Sequence, residues 1–283
     1  MTFSAKPRKR FGQHWLRSEK VLNQIVAAAE LNDRDRVLEI GPGTGVLTQK
    51  LLDQAQGVAA VEIDYDLCRK LENQFEQVSN FLLLQGDILQ MELAQQLANH
   101  PEFQIPNKVV ANIPYYITGP ILEKLLGTLA QPNPTPFDAI VLLVQQEIAE
   151  RLTALPGTKI FGGLSVKVQY LADCDIVCAV PPKAFQPPPK VTSAVIRLRP
   201  RPFPLQAKDP RLLQQLVKLG FASKRKMLRN NLASVIERPQ LLALFAELGI
   251  AANVRAEDLS VTNWVTLSNK MLKEHQQDSE PAQ

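Results

Sequence analysis

The feature that most constrains the fold of this chain is a glycine-rich turn between two apolar segments. Residues 36–40 form a short apolar run, the turn contains Gly41, Gly43 and Gly45, and residues 46–52 carry apolar side chains at helical spacing. Because glycine has no Cβ, the backbone N–H groups of such a turn can approach a bound ligand closely. The pattern predicts a buried strand, a ligand-binding turn and a helix, which together begin a doubly wound α/β sheet.

The spacing of these glycines separates the turn from a dinucleotide-binding fingerprint. The chain has G-x-G-x-G, and Val46 occupies the position of the third glycine in G-x-G-x-x-G. Together with the lack of a candidate proton donor in the sequence, this spacing disfavours a nicotinamide-dependent dehydrogenase. Taken alone, the turn is also compatible with a tight strand–helix connection that binds nothing.

Acidic residues follow the next two predicted strands. Glu62 comes directly after the apolar run 58–61, and Asp87 follows the run 81–84. Glu62 lies 21 residues beyond Gly41, about where an acid accepts hydrogen bonds from the two hydroxyls of a ribose. A single acid of this kind is more often a solvated loop residue. A series at the carboxyl ends of successive strands instead indicates one shared ligand crevice.

The segment Asn112-Ile113-Pro114-Tyr115 follows the predicted strand 108–111 and suits the binding of an aromatic amine. The side-chain oxygen of Asn112 and the carbonyl of residue 113 can both accept hydrogen bonds from an adenine amino group, directing its lone pair at a methyl donor. Pro114 restricts the backbone, and Tyr115 offers a ring on which the base can stack. An Asn-x-Pro turn without a function is the alternative. In combination with the glycine turn, the segment predicts methyl transfer from S-adenosylmethionine to the exocyclic nitrogen of an adenine.

These motifs belong to a longer series that resembles the KsgA/RsmA family of ribosomal RNA small-subunit adenine dimethyltransferases. The resemblance covers nearly the whole chain and is carried by residues 10–16, 39–45, 62–64, 86–87, 112–118, 185–195 and 221–228. The Pro-rich segment 185–195 is the most specific of these, because general methyltransferases lack it.

The resemblance implies a set of site residues. The residues that would contact S-adenosylmethionine are His14, Leu16, Gly41, Gly43, Glu62, Asp87 and Asn112. The catalytic set would be Asn112, Pro114, Tyr115 and Phe185, with Tyr115 and Phe185 on opposite faces of the target base. His14 and Trp15 stand where relatives often have Asn and Phe. Lys224 stands where many relatives have Arg, which keeps the charge but loses the planar guanidinium fork.

The distribution of charge indicates a polyanionic partner. The chain carries a net charge of +4, but residues 1–17 contain five basic residues and no acid, and residues 197–229 contain ten basic residues and only Asp209 as an acid. The two stretches carry +5 and +9, which leaves −10 for the remaining chain. One charge run is usually a solvated face, whereas two on an otherwise acidic chain favour RNA. The residues expected to contact RNA are Arg8, Lys9, Arg10, Lys224, Arg225, Lys226 and Arg229.

The alternation of apolar runs and helical patterns predicts the organisation of the chain. We expect a Rossmann-like S-adenosylmethionine-dependent methyltransferase sheet of the α/β class in residues 1–200, and a small helical RNA-binding domain in residues 201–273. Residues 274–283 are expected to form a disordered tail. The boundary follows from the Pro-rich segment 200–204.

The cysteines, the histidines and the apolar runs indicate whether disulfides, a metal site or a membrane span are expected. The three cysteines are odd in number and the three histidines are scattered, so reduced thiols and no metal site are expected. The longest apolar run, residues 139–144, is far too short to span a bilayer. These patterns predict a cytoplasmic protein without a membrane partner. A monomer is expected.

The sequence therefore predicts an enzyme that dimethylates N6 of two adjacent adenosines. By resemblance, its substrate would be a hairpin loop near the 3′ end of 16S rRNA in the precursor of the small ribosomal subunit. A large-subunit rRNA adenine methyltransferase is the nearest alternative, disfavoured by residues 185–195 and by the N-terminal signature. A non-catalytic RNA-binding assembly factor is the second alternative, disfavoured by the intact segment 112–115.

Overall fold

The computed structural model of the protein describes residues 13–277. The expected RNA contacts of Arg8, Lys9 and Arg10 lie outside these residues, as does the end of the expected tail, residues 278–283. Spatial proximity divides the chain into two compact units. Among the described residues, the first comprises residues 13–125, 135–149 and 174–200, and the second comprises residues 126–134, 150–173 and 201–277.

The first unit is built on two β-sheets. Its strands are β1 (Trp15–Leu16), β2 (Arg36–Ile40), β3 (Gly57–Glu62), β4 (Phe81–Gln85), β5 (Lys108–Asn112), β6 (Ala139–Gln145), β7 (Ala172–Val180), β8 (Phe185–Gln186) and β9 (Ser193–Pro200). Within the described residues, the large sheet has the order β4-β3-β2-β5-β6-β9-β7. Strands β2 to β6 pair in parallel, and β9 pairs antiparallel with β6. The expected mostly parallel α/β sheet is confirmed.

Burial explains why the central strands have apolar sequences. Every residue of β3 is buried, and so are the first six residues of β6. A strand with both faces covered by helices has no polar face, which gives a continuous apolar run in place of alternation. The helices that begin before residue 160 are α1 (Glu19–Ala29), α2 (Val46–Leu52), α3 (Tyr65–Phe75), α4 (Leu93–Leu97), α5 (Thr118–Leu126) and α6 (Gln146–Leu152).

The strand order places a ligand crevice in the middle of the large sheet. The chain runs outward from β2 through β3 to β4, and then returns to the other side of β2 to continue through β5 and β6. In open α/β sheets, ligands bind outside the carboxyl ends of the strands at such a reversal. The glycine turn, Glu62 and Asn112 lie at or just after the carboxyl ends of β2, β3 and β5.

A second, two-stranded sheet joins the N-terminal segment to the Pro-rich segment 185–195. Strand β1 pairs antiparallel with β8, so that Trp15 lies opposite Gln186 and Leu16 lies opposite Phe185. The peptide bond between Gln186 and Pro187 is cis. Two motifs that are far apart in the sequence are thus brought together.

The second unit is mostly helical. Its helices are α7 (Gly163–Leu171), α8 (Pro210–Gly220), α9 (Leu228–Asn231), α10 (Arg238–Glu247) and α11 (Val261–Gln277). Trp264 of α11 is fully buried, and a Cβ at Gly220 would collide with its ring, so only glycine fits there. Helix α11 continues into the segment 274–283 that was expected to be disordered. The assignment of residues 201–273 as an RNA-binding domain stays a prediction.

Candidate active site

One cavity at the carboxyl edge of the large sheet collects most of the expected site residues. Its wall contains His14, Gly41, Gly43, Glu62, Asp87, Asn112, Pro114 and Tyr115, together with Trp15 and Tyr116. Leu16 lines a smaller adjoining cavity with Glu39 and Thr44. Phe185 belongs to neither wall.

The glycine turn requires glycine at two positions for different reasons. Gly41 has φ +69° and donates its N–H to the carbonyl of Val61 at 2.9 Å, which fixes a left-handed backbone beside β3. Gly45 has φ +81°, and a Cβ there would come within 3.0 Å of Leu71 and Phe75 of helix α3. Both positions disfavour any other residue. The turn thus presents bare backbone to the cavity, as expected for a ligand cradle.

Glu62, at the end of β3, is held by backbone donors. One carboxylate oxygen accepts the N–H of Gly43 at 3.1 Å, and the other accepts the N–H groups of Ile63 and Asp64, both at 3.0 Å. Burial, with Asp64 nearby, raises the pKa of Glu62 although these three bonds oppose the shift. The carboxylate is therefore fixed against the glycine turn while it faces the cavity, which suits the recognition of a diol.

Glu39, in β2, is a buried acid that is absent from the expected site residues. Its side chain is 1% exposed, and Oε2 has no hydrogen-bond partner among the described residues. Burial, together with the charge of Glu62, raises the pKa of Glu39 to about 8. The sequence does contain a sign that Glu39 belongs to the site, since it is an acid in a strand predicted to be buried. Burying an acid costs free energy, so such a residue is a candidate for a functional role.

Asp87 follows β4 and closes the far side of the cavity. Its Oδ1 accepts the N–H of Leu89 at 2.9 Å, and its carbonyl accepts the N–H of Met91 at 2.9 Å. These bonds fix the loop after β4 and hold the carboxylate at the cavity wall. The structure therefore brings Asp87 and Glu62 to one edge, as the series of strand-end acids indicated.

The amide orientation of Asn112 follows from a single hydrogen bond. Its Nδ2 donates to the backbone carbonyl of His14 at 3.2 Å. Because a carbonyl oxygen can only accept, the nitrogen must face His14 and Oδ1 must point elsewhere. Asn112 thus ends β5 with its acceptor atom available, in the wall of the same cavity as Glu62.

Tyr115 lies on the short 3-10 turn Tyr115–Ile117, directly after Pro114. Its ring is half-buried and lies nearly parallel to the ring of His14, with the ring centroids 6.1 Å apart and an interplanar angle of 18°. The Tyr115 hydroxyl is 2.6 Å from the hydroxyl of Ser193. Burial raises the pKa of Tyr115, so its hydroxyl is neutral at physiological pH.

Phe185 is close to the site in the fold but is covered in this structure. It is 3% exposed and packs in the apolar core with Leu16 and Val180. The predicted second face for the target base is therefore not open to the cavity here. The pairing of β1 with β8 explains the proximity, and the contact of Phe185 with the base stays a prediction.

Four basic residues of the second unit are expected to contact RNA, and they differ in exposure. Lys224, Arg225 and Lys226 are exposed in the loop between α8 and α9. Arg229 is only partly exposed, and its guanidinium donates to the carbonyl of Ala252. The loop residues are available to an anionic partner, whereas the structure gives Arg229 a role in holding the helical unit. RNA contact by these four residues stays a prediction.

Residues 13–277 contain neither a helix that could span a membrane nor a cluster of metal-ligating side chains. No helix in that range combines the length and apolar character needed to cross a membrane. No group of three or more acidic, histidine or cysteine side chains in the same range is arranged to hold a metal ion.

Comparison with known proteins decides the family. The family model described as ribosomal RNA adenine dimethylase matches residues 4–273. The chain belongs to this family. Among curated family members, "Ribosomal RNA small subunit methyltransferase A" of Trichormus variabilis is 61% identical over 264 residues, covering 93% of this chain and 97% of the relative. The protein of the same name from Synechococcus elongatus is 58% identical over 260 residues, covering 92% and 93%.

Two solved structures share the fold of this chain. A dimethyladenosine transferase from Plasmodium falciparum is 26% identical, with a TM-score of 0.76 and coverage of 93% of this chain and 98% of that one. The 23S rRNA methyltransferase ErmE is 27% identical, with a TM-score of 0.69 and coverage of 91% and 99%. The resemblance to the small-subunit dimethyltransferase family is confirmed.

Proposed function

We propose that this family member transfers methyl groups from S-adenosylmethionine to N6 of two adjacent adenosines in the RNA of the small ribosomal subunit. The observation that carries the proposal is the placement of Asn112, with its acceptor oxygen available, in the same cavity as Glu62 and the glycine turn. A methyl donor and an adenine amino group can therefore meet in one site.

The carboxyl edge of the sheet supplies the contacts for the donor. Glu62 would accept from the two ribose hydroxyls, Asp87 would accept from the adenine amino group, and the glycine turn would leave room for the amino-acid end. Glu39, buried next to that turn with one oxygen unpartnered, would offer a hydrogen-bond acceptor to that end. When bound, S-adenosylmethionine supplies a methyl group on a sulfonium, whose C–S bond is broken in the transfer.

Asn112 and the carbonyl of residue 113 prepare the nucleophile. Both accept from the target amino group and favour a more tetrahedral nitrogen, so that its lone pair is available for bond formation. The nitrogen would form the new N–C bond as S-adenosylhomocysteine leaves, and the resulting cationic nitrogen would lose one proton to solvent. A general base is not required for this step. Repetition on the monomethylated nitrogen yields N6,N6-dimethyladenosine.

The small-subunit substrate is supported by the family and by the chemistry of loop bases. Curated relatives at about 60% identity carry the name of small-subunit methyltransferases, whereas the large-subunit enzyme ErmE is 27% identical. Bases in an unpaired loop enter a pocket at little cost, because few stacking and pairing contacts must be broken. As the family resemblance implies, the substrate we propose is a hairpin loop near the 3′ end of 16S rRNA.

The setting of the reaction follows from its substrate. The protein would act in the cytoplasm on a precursor of the small subunit, as a monomer, with Lys224, Arg225 and Lys226 contacting phosphates. Uncharged contacts with the loop bases alone would give little affinity for RNA. Each phosphate that a basic side chain neutralises releases counterions and so contributes to binding.

Product analysis tests the proposal. The purified protein is incubated with S-adenosylmethionine and unmethylated small subunits, and the RNA is digested to nucleosides and analysed by mass spectrometry. We expect N6,N6-dimethyladenosine with the wild-type protein and at least about 100-fold slower product formation with Asn112→Ala. A wild-type protein that binds the subunits without producing a methylated nucleoside would favour the non-catalytic assembly factor.

A further inference from the structure

The contact between Tyr115 and Ser193 was not predicted from the sequence and has no part in the chemistry above. The two hydroxyl oxygens are 2.6 Å apart, and Ser193 is completely buried. A buried hydroxyl usually satisfies its hydrogen bond within the core. Here it does so with Tyr115, one of the two aromatic residues expected to stack on the target base.

The backbone of Ser193 is fixed by the sheet. Ser193 is the first residue of β9 and lies opposite Gln145 at the end of β6. Next to this pair, the N–H of Gln146 donates to the carbonyl of Thr192 at 3.0 Å. Since β6 lies between β5 and β9, the hydroxyl contact connects the segment after β5 to a strand two positions away.

The other end of Tyr115 is fixed as well. The N–H of Ile117 donates to the carbonyl of Pro114 at 3.2 Å, and the hydroxyl of Thr118 donates to the carbonyl of Tyr115 at 3.0 Å. The turn therefore holds the Tyr115 backbone while Ser193 holds the tip of its ring. A ring held at both ends cannot swing about its Cα–Cβ bond without breaking the hydroxyl contact.

The neighbouring ring is tied to the same segment of the chain. His14 Nδ1 lies 2.8 Å from the carbonyl oxygen of Pro187, and because that oxygen only accepts, Nδ1 carries the proton. The nearly parallel rings of His14 and Tyr115 are thus both anchored to residues 187–193. Residues 185–195 were singled out by their specificity to the family and not by a physical reason. Their contacts with the rings of His14 and Tyr115 give this segment a structural role.

We propose that Ser193 is a positioning residue, which fixes the ring plane of Tyr115 so that the target base stacks with N6 aligned for methyl transfer. This inference rests on the proposed function. The effect is strongest on the second methylation, because N6-monomethyladenosine has one fewer N–H to offer Asn112 and the carbonyl of residue 113. Alignment of the monomethylated base then depends more on the ring.

Four enzymes test the role of Ser193 in single-turnover methylation of small subunits: wild type, Ser193→Ala, Tyr115→Phe and the double variant. We expect each single variant to slow the second methylation by about tenfold or more, the scale of a slightly misplaced reactant, and to slow the first less. N6-monomethyladenosine should accumulate. The affinity for S-adenosylhomocysteine, measured by calorimetry, should stay within about twofold.

The double variant separates positioning from a general structural role. If Ser193 acts through the Tyr115 hydroxyl, its removal has no further effect once that hydroxyl is gone, so the double variant should match Tyr115→Phe. Rate losses that multiply would overturn the proposal, as would a normal mono-to-dimethyl ratio in Ser193→Ala. Tyr115→Phe removes the same contact without altering the buried serine, so the test survives if Ser193→Ala does not fold.

Ser268→Ala is the matched control. Ser268 is also a buried serine, 1% exposed, but its hydroxyl has no hydrogen-bond partner among the described residues. We expect normal rates and a normal product ratio from this variant. A loss equal to that of Ser193→Ala would show that truncating a buried serine is enough, which contradicts positioning.

A readout without RNA keeps this inference separate from the proposed function. In protein labelled with ¹³C at the tyrosine ring, the Tyr115 signal is identified by its loss in Tyr115→Phe. Because the Ser193 contact lowers the pKa of Tyr115 against the effect of burial, Ser193→Ala should raise that pKa further. An unchanged Tyr115 titration would refute the tether, whereas an inactive wild type with a shifted titration would refute only the proposed function.

Discussion

Replacing Asn112 by alanine removes the side-chain acceptor on which the proposed chemistry depends. Losing one positioned polar group at a reacting centre costs about 100- to 1,000-fold in kcat, or roughly 2.7–4 kcal/mol. The substitution also removes the hydrogen bond to the carbonyl of His14, which contributes about 1 kcal/mol to stability. We therefore expect a folded, slightly destabilised protein whose methylation rate falls by at least about 100-fold.

Asn107→Ala is the control for this substitution. Asn107 precedes the same strand β5 at its other end, where its amide donates to Asp35 and Asp138, both at 2.8 Å. Its loss should lower the melting temperature but leave kcat unchanged. Single-turnover rates, calorimetry with S-adenosylhomocysteine and thermal melts are measured on both variants. Normal turnover in Asn112→Ala would refute the catalytic assignment, and equal rate losses in both variants would reduce it to an effect on folding.

Three further outcomes follow from other parts of the structure. Glu62→Ala should weaken S-adenosylhomocysteine much more than RNA in binding titrations, because the carboxylate faces the cavity; equal losses would make Glu62 structural. Glu39 has its pKa raised from 4.5 to about 8, so the folded state keeps a proton that the unfolded state loses. Stability should fall by up to about 5 kcal/mol as pH rises through that window, and denaturant titrations of Glu39→Gln should show a flatter profile. Neutralising residues 224–226 should reduce the salt slope of RNA binding by roughly 0.7–0.9 per lost phosphate contact, whereas Arg229→Gln should mainly lower the melting temperature.

Local rules of sequence were sufficient for the sheet and for one side of the site. The residues on this side are the glycine turn, Glu62, Asp87 and the segment 112–115. Each follows a predicted strand directly, so the hydrophobic pattern and the turn residues are enough to locate it. The structure then places these residues in one cavity, because parallel strands bring their carboxyl ends to one edge.

Features that depend on the pairing of strands far apart in the chain were not predicted from the sequence. The contact of Ser193 with Tyr115 depends on the antiparallel register of β9 with β6, and no local pattern encodes it. Phe185 was expected at the base, but the pairing of β8 with β1 buries it here. Segments 126–134 and 150–173 group with the helical unit, although they lie before the boundary at residue 200. Side-chain burial and strand register are tertiary properties, which explains these differences.

The most direct test of the account offers S-adenosylmethionine with a labelled methyl group to unmethylated small subunits, large subunits and naked 16S rRNA in parallel. The modified positions are then mapped by nuclease digestion and mass spectrometry. The account predicts label on N6 of two adjacent adenosines near the 3′ end of the RNA in small subunits, and none in large subunits. Label in the large subunit, on a base other than adenine, or on an isolated adenosine would contradict it.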